Sequence, residues 1–171
     1  MKRMILLSLF CLAGIVMANA QRFALIDMEY IMENIPEYQQ ANNELELASQ
    51  QYQKAVEAKA KEAEALYLAY QKAANTLSAT QRTQKEEAIV AKEREAAELR
   101  KKYFGPEGEM AQKQEALIAP IQNRIYEAVK QISSQKGYDA VIDRASATSI
   151  IFASPRIDIS NEVLAKLGSS N

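Results

Sequence analysis

The sequence predicts a mainly α fold with a small β body, in which one long antiparallel helical hairpin carries most of the chain. Three observations predict it. Residues 39–104 contain neither Pro nor Gly and are dominated by Ala, Glu, Gln, Lys and Leu, the residues that lose least on entering a helix. The whole chain of 171 residues has only 5 Gly and 4 Pro, too few for a sandwich or barrel that turns every ten residues. Strand-like segments occur only near the two ends, so a small sheet has to be assembled from distant parts of the chain.

The first twenty residues read as a leader rather than as part of the fold. Lys2 and Arg3 precede the apolar run Met4 to Met17, which closes on Ala18-Asn19-Ala20, the pattern of a cleavable secretory signal peptide. An apolar run of 14 residues falls short of the roughly 20 that span a bilayer. Cys11 lies inside that run behind Leu9-Phe10, without the small residue that precedes a lipidated cysteine. The mature chain from Gln21 then has no cysteine and forms no disulfide in an oxidising compartment. It carries 19 basic and 22 acidic residues, a mildly acidic balance that argues against general nucleic-acid binding. His is absent throughout, which removes imidazole acid/base chemistry and His/Cys metal sites.

Phe23-Ala-Leu-Ile-Asp27 is the first strand expected. Its partners are expected at Tyr138-Asp-Ala-Val-Ile-Asp143 and Thr148-Ser-Ile-Ile-Phe-Ala153, which read as a hairpin closed by Ser154-Pro155. Between them lies the helical segment, with Pro36 in its first turn and Asn34 as a cap candidate. Apolar or small residues recur at Leu45, Ser49, Tyr52, Val56, Ala60, Ala63, Tyr67, Tyr70, Ala74 and Leu77, mostly in steps of four and three, as in a coiled-coil seam. Two sites could reverse the chain: Asn75 to Thr80, and Gly105-Pro106-Glu107-Gly108. The first gives arms of similar length and offers Ser78 with Gln81 as a capping box, so it is preferred, and Gly105-Pro106 is read as a kink in the returning arm.

The returning arm is thin near the turn (Ile89, Ala96, Leu99, Tyr103) and richer later (Leu117, Ile118, Ile121, Ile125, Tyr126, Val129, Ile132). Gly137 is positioned to end it. Ser160 is expected to cap a last short helix, stapled by Ile159 and Leu164 and ended by Gly168. The expected organisation is therefore a leader at 1–20, then one domain at 21–171. Its β body is formed by 23–35 and 136–171, and its hairpin by about 36–135 with a tip near 75–80.

Phe23-Ala-Leu-Ile-Asp-Met28, the long Ala/Gln/Lys/Glu hairpin, Leu117-Ile-Ala-Pro-Ile121, Gly137-Tyr-Asp-Ala-Val-Ile-Asp143 and Asp158-Ile-Ser-Asn-Glu-Val163 follow the leader in an order that resembles the Skp/OmpH family of periplasmic chaperones. The resemblance covers the mature chain, and its specific parts are the two ends. It implies a periplasmic homotrimer in which strands of three subunits form a β body and the hairpins project as tentacles around a cavity. It also implies that the protein holds unfolded outer-membrane proteins without ATP, hence no enzyme activity and no cofactor. Familiar members are strongly basic and this chain is not, so the family's lipopolysaccharide or membrane-surface contacts are not placed on it.

Specific residues carry these expectations. Assembly is expected through Phe23, Leu25, Ile26, Tyr138, Val141, Ile142, Ile150, Ile151 and Phe152. Client contact is expected at Leu66, Leu68, Tyr70 and Leu77, with Arg82 and Lys85 on the returning arm. Leu66, Tyr67 and Leu68 are consecutive and cannot all face one seam. Residues 78–104 hold seven basic against five acidic side chains and 37–77 hold four against six, a split that solvated helix faces largely explain. Two rival classes stand beside the chaperone. One is a coiled-coil spacer or adaptor of the cell envelope. The other is an enzyme built on Asp27, Glu29, Asp139, Asp143 and Asp158, for which no phosphate loop or metal-spaced cluster is present.

Overall fold

The computed structural model describes residues 21–147 and 149–168. The leader with Cys11, residue Thr148 and the last three residues lie outside the described residues. The chain divides into two compact units, one running to Ile31 and resuming at Ile125, the other spanning Met32–Arg124.

The first unit is built on a parallel pair, β1 (Phe23–Ile26) and β2 (Ala140–Asp143), in the register Phe23↔Ala140 to Ile26↔Asp143. Backbone bonds from Asp139 N–H to the Arg22 carbonyl and from Arg144 N–H to the Ile26 carbonyl, each 2.8 Å, bracket it. On the other edge of β1 a single parallel bridge pairs Leu25 with Asp158, through the Ile159 N–H to the Leu25 carbonyl at 2.9 Å. This corrects the hairpin expected at 138–153. β1 already has both edges occupied by parallel partners, and the chain after β2 enters a turn in which the Asp143 carboxylate accepts the Ala145 N–H. Residues 150–153 consequently have no strand partner among the described residues.

Around the strands, α1 (Met28–Glu33) contributes Ile31, α4 (Glu109–Lys136) contributes Ile125, Ala128 and Ile132, and α5 (Ser160–Gly168) contributes Val163 and Leu167. Ile31, Ile125, Ile132 and Val163 are the largest fully buried side chains. Each such burial stabilises by about 1.5–3 kcal/mol, so these few residues form the energetic centre of a small core. Gly137 ends α4 at φ 68°, and the Tyr138 N–H reaches back to the Ser133 carbonyl at 3.0 Å, closing a Schellman motif. At α5 the expected cap changes hands. Asp158 Oδ1 accepts from both the Ser160 N–H (2.9 Å) and the Ser160 hydroxyl (2.6 Å), while Ser160 Oγ accepts from the Asp27 N–H.

The second unit is a helical hairpin. Its outgoing arm, α2 (Pro36–Ala73), has Pro36 at its start, but Ile35 rather than Asn34 takes the cap position and no side chain caps it. The chain reverses through a short 3₁₀ turn at Ala74–Thr76, and α3 (Ala79–Phe104) returns behind a full Ser78/Gln81 capping box. α3 ends at Gly105, and the helical path resumes at Glu109 with α4.

The seam follows the expected spacing in part: Val56 and Ala63 are buried and Leu45, Ser49, Tyr52, Tyr70, Ala74 and Leu77 half-buried, but its most buried line also takes in Ala41 and Ala48. The buried α2 residues are Ala41, Ala48, Val56 and Ala63, and on the return Ile89 and Ile121 are buried, whereas Ala60 and Tyr67 are exposed. Steps of seven, eight and seven lie nearer the 11-residue period than the heptad. An alanine seam lets helices approach closely but buries little area. Polar rungs supplement it: Arg124–Glu37 at 2.9 Å, Lys113–Glu44 at 2.6 Å and the set Lys59, Glu62, Lys92 and Glu95.

Candidate functional site

The hairpin places Leu66, Tyr67 and Leu68 side by side in uninterrupted helix, 40%, 48% and 47% exposed, because a two-helix arm has only one covered face. Tyr67 also borders a shallow groove of about 420 Å³ with Ala60, Ala63, Glu64, Glu93 and Ala96. Tyr70 is half-buried and its hydroxyl donates to Glu86 on α3. That hydrogen bond is the main reason the phenol ionises above its ordinary range; desolvation adds to it and Arg82 opposes it. Arg82 thus lies close enough to act on Tyr70, and it and Lys85 are exposed. Leu77 is half-buried at the reversal.

Val90 was not singled out by the sequence, yet it is 62% exposed beside a groove of about 350 Å³ lined by Thr83, Glu86, Glu87, Ala91 and Arg94. Its neighbour Ile89 is the buried member of the pair, and a thin stripe gives periodicity no basis for choosing between them.

In the first unit the residues expected to assemble subunits separate into two groups. Leu25 and Ile26 are buried within their own chain, and Tyr138, Val141 and Ile150 are half-buried. Phe23 and Ile142 are 45% and 40% exposed, while Ile151 and Phe152 are almost entirely in solvent at 101% and 84%. Tyr126, placed in the buried stripe by its spacing, is instead 62% exposed. It borders a groove of about 320 Å³ beside β2, with Ile26, Val129, Tyr138 and Val141.

The carboxylates near the strands are held by the chain itself. Asp27 Oδ2 receives Arg144 at 3.0 Å, Asp158 Oδ2 receives it at 3.3 Å, and Asp139 accepts the Arg22 N–H at 2.8 Å. Burial raises the Asp143 carboxyl, but hydrogen bonds from Met28 N–H, Ser146 and Ala145 N–H outweigh it and hold the pKa below the usual 3.8. Burial likewise acts against Asp158 and is overcome by Ser160 and Arg144. These groups cap turns and fasten strands. Among the described residues no cluster of acidic side chains is arranged to hold a metal ion, and no helix is long and apolar enough to cross a membrane.

Comparison with known proteins accords with this architecture. The chain is 27% identical over 153 residues to the chaperone protein Skp of Yersinia enterocolitica, covering 90% of each. The crystal structure of an OmpH-like candidate outer membrane chaperone from Caulobacter crescentus superposes with a TM-score of 0.69 over 88% of this chain and 86% of that one; at 12% identity this is a likeness of fold. The sequence profile of the OmpH-like outer membrane proteins matches residues 22–167, nearly the whole described chain. The protein therefore belongs to the OmpH-like family, with the long helical hairpin and small sheet of that fold.

Proposed function

We propose that this protein is a periplasmic, ATP-independent holdase that binds unfolded outer-membrane proteins between its helical arms and keeps them from aggregating. The observation that carries the reading is the run Leu66-Tyr67-Leu68, exposed on a thin arm of a chain that belongs to the OmpH-like family. Apolar side chains in that position have no core of their own to enter. They suit many weak contacts with an extended client better than one shaped pocket. Charged residues of both signs flank them, so a client can be held by dispersed contacts while remaining mobile.

The same reading takes the functional unit to be a homotrimer, delivered to the periplasm by removal of the leader at 1–20. Phe23, Ile142, Ile151 and Phe152 support assembly, since two large apolar residues almost wholly in solvent are costly for an isolated chain. The β body of 23–35 and 136–171 would hold the trimer and the hairpin of about 36–135 would enclose the client.

Light scattering of a denatured outer-membrane barrel diluted from urea tests the proposal. The parent protein should suppress scattering, and changing Leu66, Leu68 and Tyr70 together to Ser should weaken suppression while leaving sedimentation unchanged. Equal protection by the triple variant at every ratio would remove this patch as the client surface. Absence of protection by the parent would favour an envelope spacer.

A further inference from the structure

An interruption in one helix of a two-helix arm is ordinarily its softest point, because the backbone ladder that stiffens a helix is missing there. The interruption between Phe104 and Glu109 is unlike a slack linker. The Gly105 N–H closes on the Lys101 carbonyl at 2.8 Å and the Gly108 N–H on the Gly105 carbonyl at 2.9 Å. A Cβ at Gly105 would meet the Lys101 oxygen at 2.4 Å, and one at Gly108 would meet the Tyr103 oxygen at 2.8 Å, so both turns need glycine. At those two positions the turns leave no room for a Cβ unless the backbone shifts.

Opposite it, α2 continues unbroken and presents Tyr52. The Tyr52 ring stacks on Tyr103 with centroids 4.1 Å apart and planes 8° from parallel, and meets Phe104 edge-on at 6.3 Å. Its hydroxyl lies close enough to Glu109, the first residue of α4, that each perturbs the other's ionisation, and Glu109 is paired across the connection with Lys102 of α3 at 3.2 Å. One side chain therefore touches the last turn of α3 and the first turn of α4. Such a grip makes any bend at the connection disturb the ring stack, the Lys102–Glu109 pair or the approach of Tyr52 to Glu109.

We propose that Tyr52 is a positioning residue: it latches α3 to α4 across the Gly105–Gly108 connection, so that the two helices move as one stiff arm while the latch is closed. The client patch at 66–70 and its neighbours on α3 lie beyond the latch along the same arm. Their placement follows the latch's state. This last step rests on the proposed holdase reading, whereas the latch itself does not.

Cys11 is the only cysteine, so spin labels can be introduced at chosen positions in a Cys11→Ser chain, at Gln84 on α3 and Glu115 on α4. Labelled chains diluted in excess unlabelled protein report only distances within one chain. Electron–electron resonance without client should give one narrow distribution in the parent, about two-fold broader in Tyr52→Ala. Tyr52→Phe, which keeps the stack and loses the hydroxyl beside Glu109, should lie between them. If circular dichroism shows that Tyr52→Ala loses helix, Glu109→Ala decides, since it leaves all three rings in place and should still broaden the distribution. A parent as broad as the variant, or variants as narrow as the parent, overturns the latch. If the latch holds but the Tyr52→Ala protein protects denatured barrels as well as the parent, its bearing on the client patch falls.

Discussion

Arg144 touches two carboxylates beside the small sheet: Asp27, just after β1, and Asp158, on the bridge to Leu25. Asp158 in turn accepts both polar hydrogens of Ser160, so a single side chain fixes that bridge and the start of α5. Asp158→Ala leaves those hydrogens without their acceptor and should destabilise the protein by about 1–2 kcal/mol, read as a lower urea midpoint. Asp158→Asn keeps an acceptor and should lose less. The pH dependence has a definite sign. Asp143 and Asp158 both ionise below 3.8 in the folded chain, so each adds stability above that unfolded value and loses it as pH falls through the lowered folded one. Urea midpoints should accordingly fall with acid below about pH 4, and the slope should be shallower in Asp158→Asn.

The two arms of the hairpin meet through alanines for most of their length, and a buried methyl contributes only about 0.8 kcal/mol. Val56 is the largest buried side chain on α2, and Val56→Ala should loosen the arm by about 1–2 kcal/mol. Hydrogen exchange should be fastest around 70–100, where the seam is thinnest, and slowest in β1, β2 and 125–132, where Ile125 and Ile132 are buried. Uniform protection along α2 and α3 would contradict this. Features set by a few adjacent residues were legible in the sequence: the Ser78/Gln81 box, Gly137 at the end of α4, and the exposed run at 66–68. The β topology was not, because Ala140–Asp143 and Thr148–Ala153 look alike as apolar runs. Which of them pairs with Phe23–Ile26 depends on competition from Asp158, a residue whose hydrogen bonds leave no apolar signature. The grip of Tyr52 on Tyr103, Phe104 and Glu109 was hidden similarly, since Tyr52 counted only as one more position in a seam.

At the scale of the whole molecule, Ile151 and Phe152 stand almost wholly in solvent, and in the proposed trimer they are the surface that assembly would cover. In the proposed trimer Ile151→Asp should abolish assembly while leaving the helical content of the separated chains intact, because the substituted side chain stands in solvent and not in the chain's own core. Sedimentation velocity with circular dichroism distinguishes this outcome from unfolding, and a parent that sediments as a stable monomer would refute the trimer. The parallel pairing of β1 with β2 bears on how the chain is made. Its two strands are separated by 117 positions in register, so their pairing must close a long loop. The contacts within the hairpin unit lie inside 32–124, whereas β1 needs partners at 140–143 and Asp158. Arms thus mature before the body, and the loop that must close to complete the sheet is shortened by a prefolded hairpin. A chain truncated before Ala140 should keep its coiled coil yet lack the sheet on which the proposed trimer depends, so in that proposal association would act as a check that the chain is complete.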